Sequence, residues 1–553
     1  MSMAKEKLKI GLIAKSETIP AWALEMLKRI NQSENSEIRH IIYYNPKNDK
    51  PKTATEGTTT YFRLLLYKFH QTFERIAFKP KPDAFEHRSI ADVFDNELFK
   101  DIQTETIQNT DLPKNAIEAF KRNELDVIIA IEHSELCGIL TDQSKFGVWT
   151  VAPNSKYPEQ HATLGIREVL EQKDVSQLCL WQIKDKNSKP RCISRAFFST
   201  IRNSIRWNRN FLFWKAAVMI PVKIDQLSRI GPSTLEQVKA IDDPLPETKQ
   251  TLPGNLLMAK GLYRMVVSCL GRKIRSCLYK QQWIILFAEE KKFRNEGLKG
   301  FTRITPPKDR IWADPFIIKK DNNCYIFAEE MLHKDQKGRI ILIKINQNGN
   351  QSPPKNILTR NYHLSYPYLF EDHGQLYMLP ETSRNNSIEL YKCTHFPDQW
   401  TQADTMMQNL EAADASLLKY SNKFWLFANI RQHPGVSIND DLYLFYSDKL
   451  INGNWIPHPM NPIVSDVRCS RPAGKVFIRD QKIIRPAQDC SKYYGYKIQL
   501  REITELSEWN YKEKTIEQWM PGWEKDVIGL HTYNRDQDYI AIDALINRNK
   551  LRR

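Results

Sequence analysis

Hydrophobic and polar positions follow two different periods along this chain, and the change of period divides it. In residues 1–186, short apolar runs alternate with stretches of helical spacing. Residues 7–14 (KLKIGLIA), 38–44 (IRHIIYY), 125–131 (LDVIIAI) and 147–151 (GVWTV) are compact enough for strands buried on both faces. Pro20 opens PAWALEMLKRI and predicts a helix, because proline is tolerated at the first helical position. Strands alternating with helices predict a parallel α/β sheet over residues 1–186. Residues 45–100 are polar and proline-interrupted around one apolar stretch at 61–69, and read as an insertion.

From about residue 282 the pattern becomes a repeat. Five segments share a short motif, a strand, a tight polar turn and a second strand. They are ADPFIIKKDNNCYIFAEE, SYPYLFEDHGQLYMLPET, AADASLLKYSNKFWLFAN, SRPAGKVFIRDQKIIRPAQ and LHTYNRDQDYIAIDA, marked by Asp314, Pro367, Asp414, Pro472 and His531 at spacings of 53, 47, 58 and 59 residues. Third strands follow in four of them, and Trp400, Trp455 and Trp509 recur ahead of a fourth. Four strands in each unit of roughly 40–50 residues or more predict propeller blades. The fifth unit ends after its second strand, and WIILFA at 283–288 supplies the missing strand that closes the ring. The fold class expected is therefore multidomain: an α/β domain at 1–186, a basic helical connection at 187–281, and an all-β five-bladed propeller at 282–553.

Charge singles out the connection. The chain carries a net +16, and residues 187–300 alone hold 21 Lys and Arg against 8 Asp and Glu. Two apolar stretches, 211–222 (FLFWKAAVMIPV) and 255–279, are embedded in these cations, and Pro232, Pro244, Pro246 and Pro253 mark a linker between them. A basic amphipathic helix suits an anionic membrane surface, which makes residues 202–280 a candidate docking region. The alternative, that the apolar faces dock the two domains together, stays open. No motif for nucleic acid accompanies the charge, so no nucleic-acid partner is expected. Nine cysteines, odd in number and without a CxxC pair, fit reduced thiols, and the N-terminal apolar run is too short for a signal-peptide core. A cytoplasmic protein is expected, peripheral at the inner face of the plasma membrane if the basic region docks there.

Propeller geometry selects the candidate chemistry. The innermost strand of a blade starts at one mouth of the ring and the second strand returns to it. Residues opening the first strand and closing the second therefore converge: Asp314, Glu329 and Glu330; Tyr366 and Glu381; Asp414 with Arg431 and His433 in the following loop; Arg468, Arg471 and Asp489; and His531. Asp314, Glu330, Glu381 and Asp414 are the catalytic candidates, because facing carboxylates with separated pKa values divide into acid and base. Tyr366, Arg431, His433, Arg471, Asp489 and His531 are the substrate-binding candidates for a polar, sugar-like ligand. Structural roles stay open for each: an Asp capping a turn, Arg471 in an inter-blade ion pair, His531 as a satisfied buried histidine. No HExxH or dense ligand cluster is present, so no metal and no cofactor is expected, although one hydrated Ca²⁺ in the channel stays compatible with the pattern.

Three resemblances add expectations. The run NELDVIIAIEHSELCGILTDQSKFGVWTVAPN resembles the formyltransferase fold, over roughly residues 7–186. Thr150 and Ala152 stand where that family carries the Asn and His of its Asn-x-His-Pro-Ser motif, while Pro153, Gly165 and Glu168 match. The family's later Asp has no counterpart near residues 185–189. Ala152 can neither move a proton nor stabilise an oxyanion, and His161 is the nearby substitute. The resemblance implies a formyltransferase-like domain that has lost formyl transfer. ADPF and ADAS are similar to the arabinanase-type glycoside hydrolase propellers, which implies Asp314 as base, Asp414 as orienting group, and Glu381 or Glu330 as acid. GVW, DPF, YPYLFE, LPET, ADASLL and SRPAG carry a wider resemblance. It is to bacterial proteins that pair a formyltransferase-like N-terminus with a propeller similar to the N-terminal region of plant glucosamine inositolphosphorylceramide transferase. The transferase domain of the plant family lies outside this resemblance. The expected function is a carbohydrate-active protein, a glycosyl-transferring enzyme of cell-surface polysaccharide or glycolipid assembly, taking a sugar nucleotide or lipid-linked glycan at the propeller mouth. The alternatives are a non-catalytic glycan-binding scaffold and an amino-sugar formyltransferase.

Overall fold

The apolar runs of the N-terminal third become neighbours in one seven-stranded sheet. Its order is Gln103–Ile107, Ser36–Tyr44, Leu8–Ala14, Val127–Ala130, Val148–Ala152, Val175–Ile183 and Arg191–Ser199. The first five strands are parallel and the last two join antiparallel. Ala21–Gln32 is helical from the residue after Pro20, and buries Trp22, Met26, Leu27 and Ile30. The computed structural model describes residues 6–44, 62–93, 102–107, 118, 122–132, 136–152, 163–185, 188–236 and 251–550. These fall into two compact units, one ending at residue 269 and including 433–436, the other holding 270–432 and 437 onward. Pro153, His161, Pro244 and Pro246 lie outside the described residues.

The basic segment 187–281 divides into parts with different fates. Arg191–Ser199 is the edge strand of the sheet. Ile205–Ile230 is a 26-residue helix in which Ser204 accepts the Trp207 N–H. The Glu74 carboxylate accepts the Ile205 and Arg206 N–H groups at 2.8 and 2.9 Å, placing a negative charge at the helix N-terminus. Leu212, Phe213, Ala216, Ala217, Ile220 and Ile224 are buried with Trp22 and Ile41 in the core of the first unit. The apolar stretch 211–222 is therefore core, and cannot form part of a membrane-facing surface. Asn255–Leu278 is the second helix, and its exposure is different.

One helix escaped the sequence pattern. Leu65–Ala77 lies inside the segment read as an insertion, and buries Tyr67, His70 and Glu74. His70 and Glu74 point inward beside Tyr67 while Leu65, Phe69, Phe73 and Ile76 are exposed, which departs from the usual reading of helical periodicity.

The second unit is a five-bladed ring. Arg310–Lys320, Asn323–Leu332, Gly338–Ile345 and Lys355–Leu358 form the first antiparallel blade. The second to fourth are four-stranded sheets starting at Ser365, Ala412 and Phe477. The fifth pairs Tyr533–Asp536 with Tyr539–Asn549, which in turn pairs along eleven residues with Tyr279–Glu289. The strand expected at 283–288 thus closes the ring. Apolar faces of adjacent blades pack on one another, as Phe316, Tyr368 and Leu417 do across the first three.

A buried charge cluster braces the fourth blade. Arg485 is fully buried, donates to Glu513 at 2.9 and 2.8 Å, and reaches the Cys469 carbonyl at 2.7 Å. Arg501 adds a third bond to Glu513 at 3.0 Å. Burial alone would raise the Glu513 carboxyl, but the two guanidinium groups push it down to about 2. A carboxylate with a depressed folded-state pKa contributes stability above its unfolded pKa and loses it as pH falls. Glu513→Gln is expected to lose about 2–3 kcal/mol of unfolding free energy at pH 7, a gap that closes toward pH 2–3. Urea unfolding of both proteins at pH 7 and pH 3 checks this, and a gap independent of pH would reject the assignment.

Candidate functional site

Three blades are entered through the same backbone kink. Asp314, Tyr366 and Asp414 have φ of 50°, 44° and 50°, left-handed values that side chains other than glycine rarely adopt. Each inner strand slips register there, between Ala313/Phe316, Ser365/Tyr368 and Ala413/Ser416. Such bulges re-aim the extra side chain. Opposite the residue before each bulge stand Glu329, Glu381 and Asn429. In the fourth blade Gln488 takes this place, its N–H donating to the Arg471 carbonyl at 2.8 Å. That blade turns at Gly474, with φ 133°, where a Cβ would lie 2.0 Å from the Tyr533 carbonyl oxygen.

The entry residues meet across blades in two linked groups. His531 Nδ1 lies 2.6 Å from Asp543 Oδ2, and its Nε2 lies 3.3 Å from Asp314 Oδ1. Asp314 also accepts the Thr532 hydroxyl at 2.7 Å and the Tyr366 N–H at 3.2 Å. The backbone N–H groups of Asp314, His531 and Thr532 all donate to Asp543, at 2.9, 3.0 and 3.0 Å. Burial opposes a charged imidazole, but Asp543 and Asp314 outweigh it and raise His531 to about 9. Asp314 is raised to about 6, by burial first, against the pull of His531 and with Glu329 and Asp543 adding to the rise.

In the second group Arg471 Nε lies 2.6 Å from Asp414 Oδ2, and its Nη2 lies 3.4 Å from Glu381 Oε2. Gln488 Nε2 donates to Asp414 at 2.9 Å, and the Ser383 hydroxyl donates to Glu381 at 2.7 Å. Two carboxylates against one guanidinium leave a negative charge in excess, and a dry site favours one proton there. Asp414 is the raised member, through burial despite Arg471, with Glu381 and Asp314 adding to it. Burial works against the charge of Glu381 as well, but Arg471 and its hydrogen bonds hold it below the usual carboxylate range.

Two aromatic rings border these groups, Trp283 the first and Tyr494 both. Trp283 stacks on His531 with centroids 4.0 Å apart, and Tyr494 meets the same imidazole edge-on at 5.2 Å. The Arg471 guanidinium sits over the Tyr494 ring at 4.9 Å. Tyr494 is 41% exposed, whereas Asp314, Asp414, Arg471 and His531 are at most 7% exposed. Its hydroxyl is nevertheless raised well above the ordinary range by burial and by Asp414, Asp314 and Glu381, which outweigh Arg471. A ring with its flank open and its hydroxyl among the carboxylates satisfies both observations.

Asp314, His531 and Asp543 also offer donor atoms within 4.8 Å of one another, close enough to share a metal ion. A protonated His531 has no lone pair for a metal, so binding there would first displace its proton.

The structure thus brings together Asp314, Glu381, Asp414, Arg471 and His531, with the Tyr366 backbone against Asp314, and gives the side chains of the other sequence candidates different partners. Glu330 is one residue past Glu329 and points to the other face of its strand, as period-two side chains must. There it accepts the Trp312 indole N–H at 2.9 Å and Arg310 at 3.1 Å, and pairs with Arg339. Burial opposes its charge, but these three donors hold its pKa down. The same parity error moves Asp489 off the Gln488 face; it accepts the Ser491 N–H at 2.9 Å and lies 3.4 Å from Lys497. Tyr366 is fully buried, accepts the Gly474 N–H at 2.7 Å and shares its hydroxyl with Ser416 at 2.9 Å, so it ties blades together. Arg431 pairs with Glu411 at 3.3 Å, and Arg468 pairs with Asp466 at 2.8 Å. His433 is grouped with the first unit, outside the propeller.

Asp543, Gln488, Trp283 and Tyr494 were not selected from the sequence. Asp543 carried a usable signal, an acid inside the apolar strand YIAIDA, since unpaired acids are almost never buried. Tyr494 lies in a turn and had none. A cavity of about 340 Å³ lies at the opposite end of the inner strands, lined by Phe316, Lys320, Phe370, Phe396, Lys475 and Asp536.

In the first unit, Thr150 and Ala152 lie on a fully buried strand. The Thr150 hydroxyl donates to the Ala130 carbonyl at 3.3 Å, and the Ala152 carbonyl accepts the Trp181 indole N–H at 2.8 Å.

Residues 304–537 match the family model described as glucosamine inositolphosphorylceramide transferase 1, N-terminal. The chain is similar to "Glucosamine inositolphosphorylceramide transferase 1" of Oryza sativa subsp. japonica, 32% identical over 207 residues, 37% of this chain and 28% of that one. The Arabidopsis thaliana protein of the same name is 30% identical over 220 residues, 39% of this chain and 28% of its own. The match spans less than a third of the length of these curated relatives. Among solved structures, a Coprinopsis cinerea GH62 alpha-L-arabinofuranosidase catalytic domain overlaps 44% of this chain and 94% of its own, with 12% identity and a TM-score of 0.34. An exo-1,5-alpha-L-arabinanase from a bovine ruminal metagenomic library overlaps 45% and 96%, with 14% identity and a TM-score of 0.31.

Proposed function

We propose that this protein is a carbohydrate-active enzyme that transfers a glycosyl unit in glycolipid or cell-surface polysaccharide assembly, with its site at the charged end of the propeller axis. The observation that carries the reading is the double acid–base group, Asp314–His531–Asp543 beside Asp414–Arg471–Glu381, bordered by Trp283 and Tyr494. Aromatic faces with convergent charged groups suit a sugar ring. The names of the relatives supply the direction, toward a lipid-linked acceptor, and a sugar nucleotide is the donor class that fits a cytoplasmic enzyme. Asp314, raised to about 6, is ionised at neutral pH and is the base for an acceptor hydroxyl. Asp414 retains its proton more readily than Glu381 does, so it is the better acid for a leaving oxygen. This exchanges the roles that the arabinanase resemblance implied.

One observation favours a second reading, a glycan-binding scaffold. The charged groups are nearly all buried and already partnered with one another, which leaves the exposed flank of Tyr494 as the surface a bound glycan would meet. Formyl transfer is the weakest reading, because Thr150 and Ala152 are buried and offer no acid or base. The test combines a thermal-shift screen of sugar nucleotides and oligosaccharides with transfer of radiolabelled sugar from nucleotide donors into extracted lipid. Transfer that Asp314→Asn abolishes supports the enzyme. Stabilisation by a glycan without transfer supports the scaffold, and a ligand bound equally by Asp314→Ala moves the site away from the propeller axis.

A further inference from the structure

The helix Asn255–Leu278 has two apolar faces. Met258, Gly261 and Met265 are buried, the two methionines beside Tyr67, Ile166, Val169 and Leu170. On the opposite side, Leu256, Tyr263, Val267, Leu270, Ile274 and Leu278 are 40–71% exposed. At about 100° per residue their spacings of seven, four, three, four and four place all six in one stripe. Residues 269–280 are exposed on every side. The helix Leu65–Ala77 repeats the arrangement, with Leu65, Phe69, Phe73 and Ile76 exposed by 45–73%. Asn255 joins the two, accepting the Leu66 N–H at 3.0 Å and donating to the Phe62 carbonyl at 2.7 Å. These ten side chains are nearly half of the 22 large hydrophobic residues exposed among the described residues. Isolated exposed apolar residues are ordinary, whereas a concentrated set marks an interaction surface.

Charge decides the occupant. Lys260, Arg264, Arg272, Lys273 and Arg275 lie on the helix, Lys280 follows it, and no acidic residue occurs from 248 to 288. A second copy would set these cations against one another, whereas acidic lipid headgroups would neutralise them. Among the described residues no helix is long and apolar enough to cross a membrane. We propose that these two helices dock the protein on an anionic lipid bilayer, with Asn255–Leu278 lying in the headgroup plane and its apolar stripe turned toward the acyl chains.

Sedimentation of the full chain with vesicles of phosphatidylcholine, alone or with about 30% phosphatidylserine, tests this. Binding to the anionic vesicles is expected to be at least about tenfold tighter, and to weaken about tenfold or more between roughly 0.1 and 0.5 M salt. Ile274→Glu and, on the other helix, Phe69→Glu are each expected to weaken it about tenfold or more without changing the circular-dichroism melt. Equal affinity for both vesicle types, or no binding to either, would overturn the proposal. So would a concentration-dependent dimer that Ile274→Glu dissociates, since a second copy would then cover the stripe. Vesicle binding requires no glycosyl chemistry, so its failure would leave the proposed reaction standing.

Discussion

Replacing Arg471 with Met is expected to lower the unfolding free energy of the propeller by about 3–5 kcal/mol at pH 7, the range for breaking a buried charge network by removing one partner. Arg471 is the one cation shared by Asp414 and Glu381, and all three are nearly enclosed. Without it two carboxylates face each other in a dry site, and the loss includes their desolvation as well as the missing bonds. The pH dependence identifies the cause. With the guanidinium gone, folding must protonate the carboxylates, so the gap between variant and parent widens from pH 5 to pH 8 and narrows below. Adding Asp414→Asn replaces one of the two carboxyl groups that folding would have to protonate with a neutral amide, and is expected to recover more than half of the loss. Urea titrations followed by tryptophan fluorescence provide both numbers. A gap under about 1 kcal/mol at pH 7 would mean that the site is wetter than its burial indicates.

Repetition made the propeller legible, and parity limited what could be read from it. The five motifs exposed the blades, the turn residues fixed each hairpin, and WIILFA supplied the closing strand. Three of the entry positions, Asp314, Tyr366 and Asp414, are structurally equivalent, as their shared φ and bulge demonstrate. Glu330 and Asp489, taken as residues closing the second strand, stand one residue beyond Glu329 and Gln488, and the period of two turns each to the other face. Tyr366 shows a different limit: its position was right, but only packing reveals that its hydroxyl is spent between Gly474 and Ser416. The basic segment could be read only in part for a third reason. Charge in the sequence says nothing about which face carries it, and the stretch at 211–222 is apolar all round because the first unit encloses it. The helix Leu65–Ala77 departs in the opposite sense, since it buries His70 and Glu74 and leaves four large apolar side chains exposed.

Asp314→Asn is expected to reduce glycosyl transfer by about 10²–10⁴-fold, the usual contribution of a positioned general base, and to lower the melt as well, because His531 loses one of its two carboxylate partners. An amide still accepts from Thr532 or the Tyr366 N–H, so the blade entry keeps most of its bonds. In the parent enzyme the rate is expected to rise through pH 6, where Asp314 gives up its proton, and to fall through pH 9, where His531 loses its own. The descending limb must be separated from unfolding. A histidine whose folded pKa is raised contributes stability in full below about 6.5 and loses it as pH rises through 9. Circular dichroism at pH 9.5 distinguishes lost fold from lost charge. Asp543→Asn supplies the second check: it leaves the imidazole with one carboxylate partner and should move the descending limb to lower pH, and it also removes one of the charges that raise Asp314, so the ascending limb should shift as well. A merely structural His531 would lower the rate by the same factor at every pH. Limbs that stay in place in Asp543→Asn, or an Asp314→Asn enzyme within threefold of its parent, would remove this group from the chemistry and leave the propeller a binding surface.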